Sequence, residues 1–326
     1  MDISYRGFIV WAGGIVVVLG AFLIFVAAGW PGDANGCLWG NDKASPQGAA
    51  AFNPPSAHAS AAIKRAYEAL TKQVARDNTC YCEAFSVPDA ALGKPGVRQK
   101  VNSWFNLYSI GTSLIVAFGV YSSRQDGETK LIGSTNSWMP DVYIFAALFL
   151  GLGSMWFHAS MKEWAGMTDT ASMYTFMGFL VFFTIRRLWD NAWLFWIGYL
   201  LTIAVFTIVG EIISSASPGA PVSEVLIVIL VAIYFVFESI LWSNDGGDAW
   251  YVNWWNHIWF GGSNVSWRWW VAVVCILAAM FFWTYSQTGK FMCSPTSFFQ
   301  PHGLLWHPLA GLCALFIYFY WKYDAA

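Results

Sequence analysis

The chain has 326 residues, of which 57 per cent are hydrophobic, 19 per cent are aromatic and only 11 per cent are charged. Soluble domains carry about 25 per cent charged residues, so this chain has too few charges to cover the surface of a soluble protein of its size. Its net charge of −2 offers no basic surface to nucleic acid. The composition argues against a soluble enzyme, a disordered protein or a nucleic-acid binder, and it favours a bundle of membrane helices.

Eight stretches of the sequence are candidates for membrane helices, each of which takes roughly 20 mostly apolar residues. They run from about 8 to 28, 102 to 121, 142 to 160, 169 to 185, 192 to 213, 222 to 242, 268 to 285 and 302 to 321. Glycine and proline fall in the intervals between them. The predicted fold class is an all-α, polytopic membrane protein, with a seven-helix bundle and one extra N-terminal transmembrane helix.

The chain divides into three parts. Residues 1–28 are predicted to be a retained membrane anchor, because their apolar stretch is longer than the roughly 7 to 15 residues of a cleaved signal peptide. Residues 29–100 are rich in Ala, Pro, Ser, Asn and Gly and are predicted to form a lumenal loop, with one water-exposed helix at Ser60–Ala75. Residues 101–326 contain the predicted seven-helix domain.

Positive charges and cysteines predict the orientation of the bundle. The short connections on the side reached after the first helix hold Lys162 and Lys290, whereas the opposite side holds seven Lys or Arg residues. The opposite side, with the C-terminus, is therefore predicted to be cytosolic. The other side is lumenal and oxidising, so its cysteines predict two disulfides, among which the sequence allows three pairings. These cysteines are Cys37, Cys80, Cys82 and Cys293.

Five polar residues are predicted to lie at one depth on the lumenal side. Ser154 and His158 are four residues apart and so share one face of a helix. Asp169 opens the next predicted helix, and His302 and His307 open the last one. Counting helices places all five at the same end of the bundle, although they are far apart in sequence.

These residue types suit a catalytic metal site. Three imidazoles are a common zinc ligand set that leaves a fourth position for water, and zinc lowers the pKa of that water to about 7. A carboxylate such as Asp169 can hold the water and carry its proton. A hydroxyl such as Ser154 can donate a hydrogen bond to a developing oxyanion.

Each residue also has a simpler interpretation. A single histidine near a membrane end is usually interfacial or hydrogen-bonded, Asp169 fits a helix N-cap, and Ser154 fits a close contact between helices. Three of the five histidines fall at one predicted depth beside an aspartate, which favours the metal site. Three other carboxylates are predicted to be interfacial or hydrogen-bonded between helices: Glu211, Glu224 and Glu238.

The pattern around these residues resembles the alkaline ceramidase family. The similar features are Ser154-x3-His158, Asp169 eleven residues later, and a late histidine pair followed by an apolar helix. The family belongs to a broader group of seven-helix membrane hydrolases that includes the adiponectin and progestin receptors. Its fold has seven helices with the amino-terminal side in the lumen, which agrees with the orientation predicted here.

Two further segments are similar to that family. Cys82-Glu83 followed by residues 101–107 resembles the entry to its first helix, and Cys293–His302 resembles the approach to its last helix. The resemblance covers roughly residues 80 to 321. The first helix and most of the long loop lie outside it.

The resemblance implies a zinc amidase that cleaves the N-acyl bond of ceramide to a sphingoid base and a fatty acid. The zinc ligands would be His158, His302 and His307. Asp169 would hold and activate the water, and Ser154 would assist at the transition state.

The resemblance also implies a lumenal disulfide between Cys82 and Cys293, leaving Cys37 and Cys80 as a possible second pair. Family members with a lumenal calcium site use acidic and amide side chains near these segments. Only Glu83 clearly matches them, because Gln99 and Phe85 replace an acidic and an amide ligand. We therefore expect no calcium site like that of the family.

The last histidine pair departs from the family spacing, which is His-x3-His. On a regular helix, residues spaced as His302-x4-His307 lie about 140° apart, whereas the family spacing gives about 40°. Both rings reach one metal if the turn is widened by a π-bulge, and Pro301 places this turn at a helix start. On a regular turn one of the two histidines drops out of the site.

The sequence leaves two other functions open. One is a zinc hydrolase of another lipid amide or ester, and the other is a seven-helix receptor or scaffold without turnover. For the ceramidase we expect an internal membrane of the endoplasmic reticulum or Golgi and ceramide-type and membrane lipids as partners. Neither nucleic acid nor a protein partner is predicted.

Overall fold

The computed structural model describes residues 3–32, 60–61, 81–83, 95–127, 138–216, 222–244, 266–287, 290–294 and 297–324. These residues form helices and no β-strand, so the predicted all-α class is confirmed. Most of the predicted Ser60–Ala75 helix lies outside the described residues, as do Cys37, Cys80 and Phe85.

The helices follow one another along the chain in the predicted order. They are α1 (Ile3–Ala28), α2 (Lys100–Trp104), a 3-10 turn (Phe105–Leu107), α3 (Tyr108–Gln125), α4 (Met139–Ser160), α5 (Glu163–Trp189), α6 (Ala192–Ala216), α7 (Val222–Asn244), α8 (Ser266–Tyr285), a π turn (His302–Trp306) and α9 (His307–Asp324). The segments α2–α3 and π turn–α9 each run on as one long helix. Among the described residues, seven helices are long and apolar enough to cross a membrane, as in an integral multi-pass protein.

Helix α5 is the remaining predicted span, and its second half is almost fully buried. It is 27 residues long and more polar than the other helices in its first half, and it packs against α4, α6 and α7. Nearly every side chain between Ser172 and Ile185 is buried, whereas α6 turns many apolar side chains outward. Because a helix buried on all sides contacts neighbours rather than lipid, it tolerates polar residues that find partners.

A tight connection fixes α4 against α5. Helix α4 ends at Ser160 and α5 begins at Glu163, so α5 starts six residues earlier than predicted. Met161 makes this possible by adopting a left-handed conformation with φ of 51°, which costs a non-glycine residue about 1 kcal/mol. Its N–H donates to the Phe157 carbonyl, and its side chain is fully buried. The turn sets the last residues of α4 beside the first turns of α5.

A polar network joins the helices at the end of the bundle away from the histidines. The buried Glu238 carboxylate of α7 accepts hydrogen bonds from Thr184 at 3.0 Å, Arg187 at 2.9 Å and the Tyr320 hydroxyl. The Trp242 indole N–H donates to the same Tyr320 hydroxyl at 2.9 Å. Three helices, α5, α7 and α9, thus share one satisfied carboxylate, which confirms the predicted interhelical role of Glu238.

This network gives a stability prediction. Arg187→Met leaves the Glu238 carboxylate buried without its cationic partner, which costs roughly 3 kcal/mol. We expect a clear drop in the midpoint of thermal unfolding in detergent. Arg186→Met is the matched control, because its partner Asp190 is 92 per cent exposed and such pairs contribute less than about 1 kcal/mol. Equal midpoints for the two variants would contradict the structural role of the network.

Candidate metal centre

Three buried histidines come together at one end of the bundle. His158 lies in the last turn of α4, and His302 and His307 flank the π turn that leads into α9. They are 0, 2 and 2 per cent exposed, and one nitrogen from each ring lies within 4.8 Å of the other two. The predicted convergence is confirmed, and this buried three-histidine group can hold a metal ion. We call this end of the molecule the histidine end.

The π turn brings the two late histidines into one site. The His307 N–H donates to the His302 carbonyl, five residues back instead of four. This widened turn brings two side chains that a regular helix would hold about 140° apart to a ring-centroid separation of 4.6 Å. The x4 spacing therefore keeps both histidines in the cluster, as the predicted bulge requires.

Local sequence explains why the turn widens at this point. Pro308 has no N–H to donate to the Leu304 carbonyl, and a proline ring clashes with the carbonyl four residues before it in a regular helix. Gly303 lets the turn approach α2, because a Cβ there would lie 3.0 Å from the Val101 carbonyl carbon. The sequence-based prediction of a widened turn rested on the spacing and on Pro301, without Pro308.

Gln99 orients His158 from just before α2. Its side-chain oxygen lies 2.7 Å from Nδ1 of His158, and its amide nitrogen donates to the Glu83 carbonyl at 2.7 Å. With the amide held in this direction, the oxygen accepts from Nδ1–H, which leaves the lone pair on Nε2 of His158. That nitrogen lies 3.2 Å from Nε2 of His302.

The other two rings are also held by neighbours. Nε2 of His307 lies 3.1 Å from the amide nitrogen of Asn106, which also donates to the Asn102 carbonyl at 2.7 Å. The Tyr81 ring packs on His302 with a centroid separation of 4.1 Å. Burial, together with the nearby Asp169 carboxylate, raises the pKa of the Tyr81 hydroxyl. Nδ1 of His302 has no hydrogen-bond partner among the described residues.

Asp169 and Ser154 face the histidines across a small pocket. The pocket has a volume of about 10 Å³, room for about one water molecule, and is lined by both residues and by His302 and His307. Asp169 lies two turns inside α5, so it is no N-cap, and the Ser154 hydroxyl lies beside it as a hydrogen-bond partner. Gly153, next to Ser154, makes a close contact between α4 and α5, because a Cβ there would lie 2.9 Å from Ser172.

A disulfide closes the histidine end. Cys82 and Cys293 are bonded, with their Cα atoms 5.3 Å apart, as the family resemblance implied. The residues beside Cys82 reach the site, since Tyr81 packs on the histidines and the Glu83 carboxylate accepts hydrogen bonds at 2.8 Å from the N–H groups of Val101 and Asn102. Burial raises the pKa of Glu83. Glu83 therefore caps α2 from a segment that the disulfide ties down.

Sequence reasoning missed Gln99, Tyr81 and Asn106 as parts of this site. The contact between Gln99 and His158 joins residues 59 apart in the chain, which no local spacing reveals. In the sequence, Gln99 was considered only as a residue that replaces an acidic calcium ligand of the family. Comparison with known proteins adds no further assignment, since no protein-family model and no curated protein sequence matches this chain.

The role of Gln99 can be tested through metal binding. Gln99→Leu removes the acceptor for Nδ1–H of His158, and loss of such outer partners typically lowers metal affinity about 10- to 100-fold. We expect zinc affinity, measured by chelator competition on purified protein, to fall within that range. Gln99→Glu keeps an acceptor for Nδ1–H but loses the donor to the Glu83 carbonyl, so it should retain more of the affinity than Gln99→Leu. An unchanged affinity in Gln99→Leu would show that the contact does not orient the ligand.

Proposed function

We propose that the three histidines bind a catalytic zinc ion and that the protein hydrolyses the N-acyl amide bond of ceramide. The observation that carries this proposal is a cluster of three buried imidazoles, two of which line a pocket together with Asp169 and Ser154. Three protein ligands with one open position is the ligand pattern of catalytic zinc. A structural zinc site would instead have four protein ligands.

The spacing of the His158 and His302 rings fits zinc. Two nitrogens bound tetrahedrally to zinc at about 2.0–2.1 Å lie about 3.3 Å apart. Nε2 of His158 and Nε2 of His302 are 3.2 Å apart. All three rings are buried, and neutral imidazole is the form that binds metal.

Each residue of the site has a separate role in the proposed amide hydrolysis. When bound, zinc supplies Lewis acidity at the three imidazoles and lowers the pKa of water to about 7. Asp169 is placed to take a proton from the attacking water as the new carbon–oxygen bond forms. It then passes a proton to the nitrogen as the carbon–nitrogen bond breaks, releasing a fatty acid and an amine. Ser154 is placed to donate a hydrogen bond to the carbonyl oxygen as negative charge develops.

The surroundings of the site suit a lipid. A second, wholly apolar cavity of about 20 Å³ is lined by residues of α5, α7, α8 and α9. It follows the metal pocket along the bundle, because its wall includes Met177 and Cys313, one turn beyond Met173 and Ala310 of that pocket. An acyl chain with its amide at the histidines would extend in that direction.

Ceramide as the specific substrate rests on the resemblance to alkaline ceramidases. The Cys82–Cys293 disulfide is the one that the resemblance implies, and the widened His302–His307 turn keeps both late histidines in the site although their spacing departs from that of the family. A disulfide at the histidine end favours an oxidising compartment on that side, such as the lumen of the endoplasmic reticulum or Golgi, with the C-terminus in the cytosol. Another lipid amide or ester, and a receptor without turnover, are the alternatives that the experiment must separate.

The experiment measures zinc content and fatty-acid release by the same purified samples. We expect wild type to hold stoichiometric zinc and to release fatty acid from a labelled ceramide. Asp169→Asn should keep its zinc and lose at least about 100-fold in turnover, because it loses proton transfer. Asp141→Asn is the matched control, since that carboxylate pairs with Arg124 at the far end of α4.

The outcomes distinguish the alternatives. Zinc without ceramide cleavage, but with cleavage of another lipid amide or ester, would change the substrate and keep the mechanism. Wild-type protein without stoichiometric zinc would exclude both enzyme functions. Equal activity in Asp169→Asn and Asp141→Asn would remove Asp169 from the proposed role.

A further inference from the structure

The N-terminal helix, which lies outside the family resemblance, is joined to the histidine end by hydrogen bonds. The Trp30 indole N–H donates to the Gly96 carbonyl at 2.8 Å, and the Gly96 N–H donates to the Val26 carbonyl at 2.8 Å. Gly96 has φ of 110°, a conformation that other residues rarely adopt. Trp30 is 1 per cent exposed and packs against Phe22 and Trp156.

The segment that Trp30 holds also caps helix α4. The last carbonyls of a helix have no partner within the helix. Here the Arg98 N–H donates to the Ala159 carbonyl and the Gln99 N–H to the His158 carbonyl, each at 3.0 Å. The Arg98 guanidinium donates to the Gly96 carbonyl at 2.9 Å, the same oxygen that accepts from Trp30.

These contacts form a continuous path from α1 to a metal ligand. Trp30 fixes Gly96, the following residues are bonded to the end of α4, and the Gln99 side chain then accepts from Nδ1–H of His158. Within this path, the position of the Gln99 backbone determines whether its side-chain oxygen reaches His158. The α1 end therefore touches the site through one short segment.

We propose that Trp30 is a positioning residue for His158. By donating to Gly96 it holds residues 96–99 so that Gln99 keeps the proton of His158 on Nδ1 and the lone pair on Nε2. The link to metal binding rests on the proposed function, whereas the orientation of the ring does not require metal. The extra helix thus contributes to the site as well as to the membrane span.

Trp30→Phe tests this role, because phenylalanine keeps an aromatic ring among Phe22 and Trp156 and loses the N–H donor. The matched control is Trp164→Phe. Trp164 donates its indole N–H at 2.9 Å to Pro31, so this variant also removes one indole bond at the α1 end but leaves Gly96 untouched.

Two readouts are taken on each variant. The first is zinc affinity by competition, with the visible spectrum of the cobalt-substituted protein as a signature of ligand geometry. For Trp30→Phe we expect an altered spectrum and a loss of zinc affinity of about 10-fold. This loss is at the lower end of the range seen when residues that hold metal ligands are mutated. Trp164→Phe should match wild type in both.

The second readout is the ring nitrogen signal of His158 in metal-free protein labelled with nitrogen-15 histidine, at mildly alkaline pH. We expect a single Nδ1–H form in wild type and Trp164→Phe, and a mixture of forms in Trp30→Phe. The same single form in Trp30→Phe, or equal changes in both variants, would overturn the proposal. Wild type that binds no zinc would contradict the proposed function, and the ring signal would still decide the role of Trp30.

Discussion

The hydrogen bond between His158 and Gln99 is the interaction on which the geometry of the histidine end depends. In a buried apolar setting a free imidazole N–H is costly, so Nδ1–H of His158 needs an acceptor, and Gln99 provides one at 2.7 Å. That bond decides which nitrogen of His158 is free to face His302. The backbone of Gln99 in turn caps α4, so one short segment satisfies both the helix end and the ring.

The two ends of the bundle use buried polar groups differently. Away from the histidines, the Glu238 carboxylate is saturated by Thr184, Arg187 and Tyr320, so it holds helices together and has no capacity left for chemistry. At the histidine end, some buried polar atoms have no hydrogen-bond partner among the described residues. Nδ1 of His302 has no hydrogen-bond partner among the described residues, and Asp169 and Ser154 line an open pocket. A buried polar group without a partner calls for an explanation, and a catalytic role or a bound ion or water is one that suits a pocket.

Because the chain has so few charged residues, its helices and the convergence of three histidines could be predicted from the sequence. With 11 per cent charged residues, the apolar stretches stand out, and each predicted span overlaps a helix of the structure. Counting those helices was enough to bring His158 together with His302 and His307. The start of α5 was misplaced, because Met161 closes a two-residue turn in a left-handed conformation for which methionine gives no signal.

The contacts around the ligands could not be predicted in the same way. They come from tertiary packing between segments far apart in the chain, such as Tyr81 against His302 and Trp30 against Gly96. The π turn is intermediate, since the His302-x4-His307 spacing required a widened turn and Pro308 supplies its physical cause. No sequence spacing relates amide side chains such as Gln99 and Asn106 to the histidines that they contact. Only the fold shows which amide side chains face a histidine.

X-ray absorption at the zinc edge of the purified wild-type protein tests the central claim most directly, because it reports the ligands of the metal and their distances. We expect one zinc per chain with three imidazole nitrogens at about 2.0–2.1 Å and one oxygen. The absence of stoichiometric zinc, a sulfur ligand, or a spectrum unchanged in His307→Ala would contradict it.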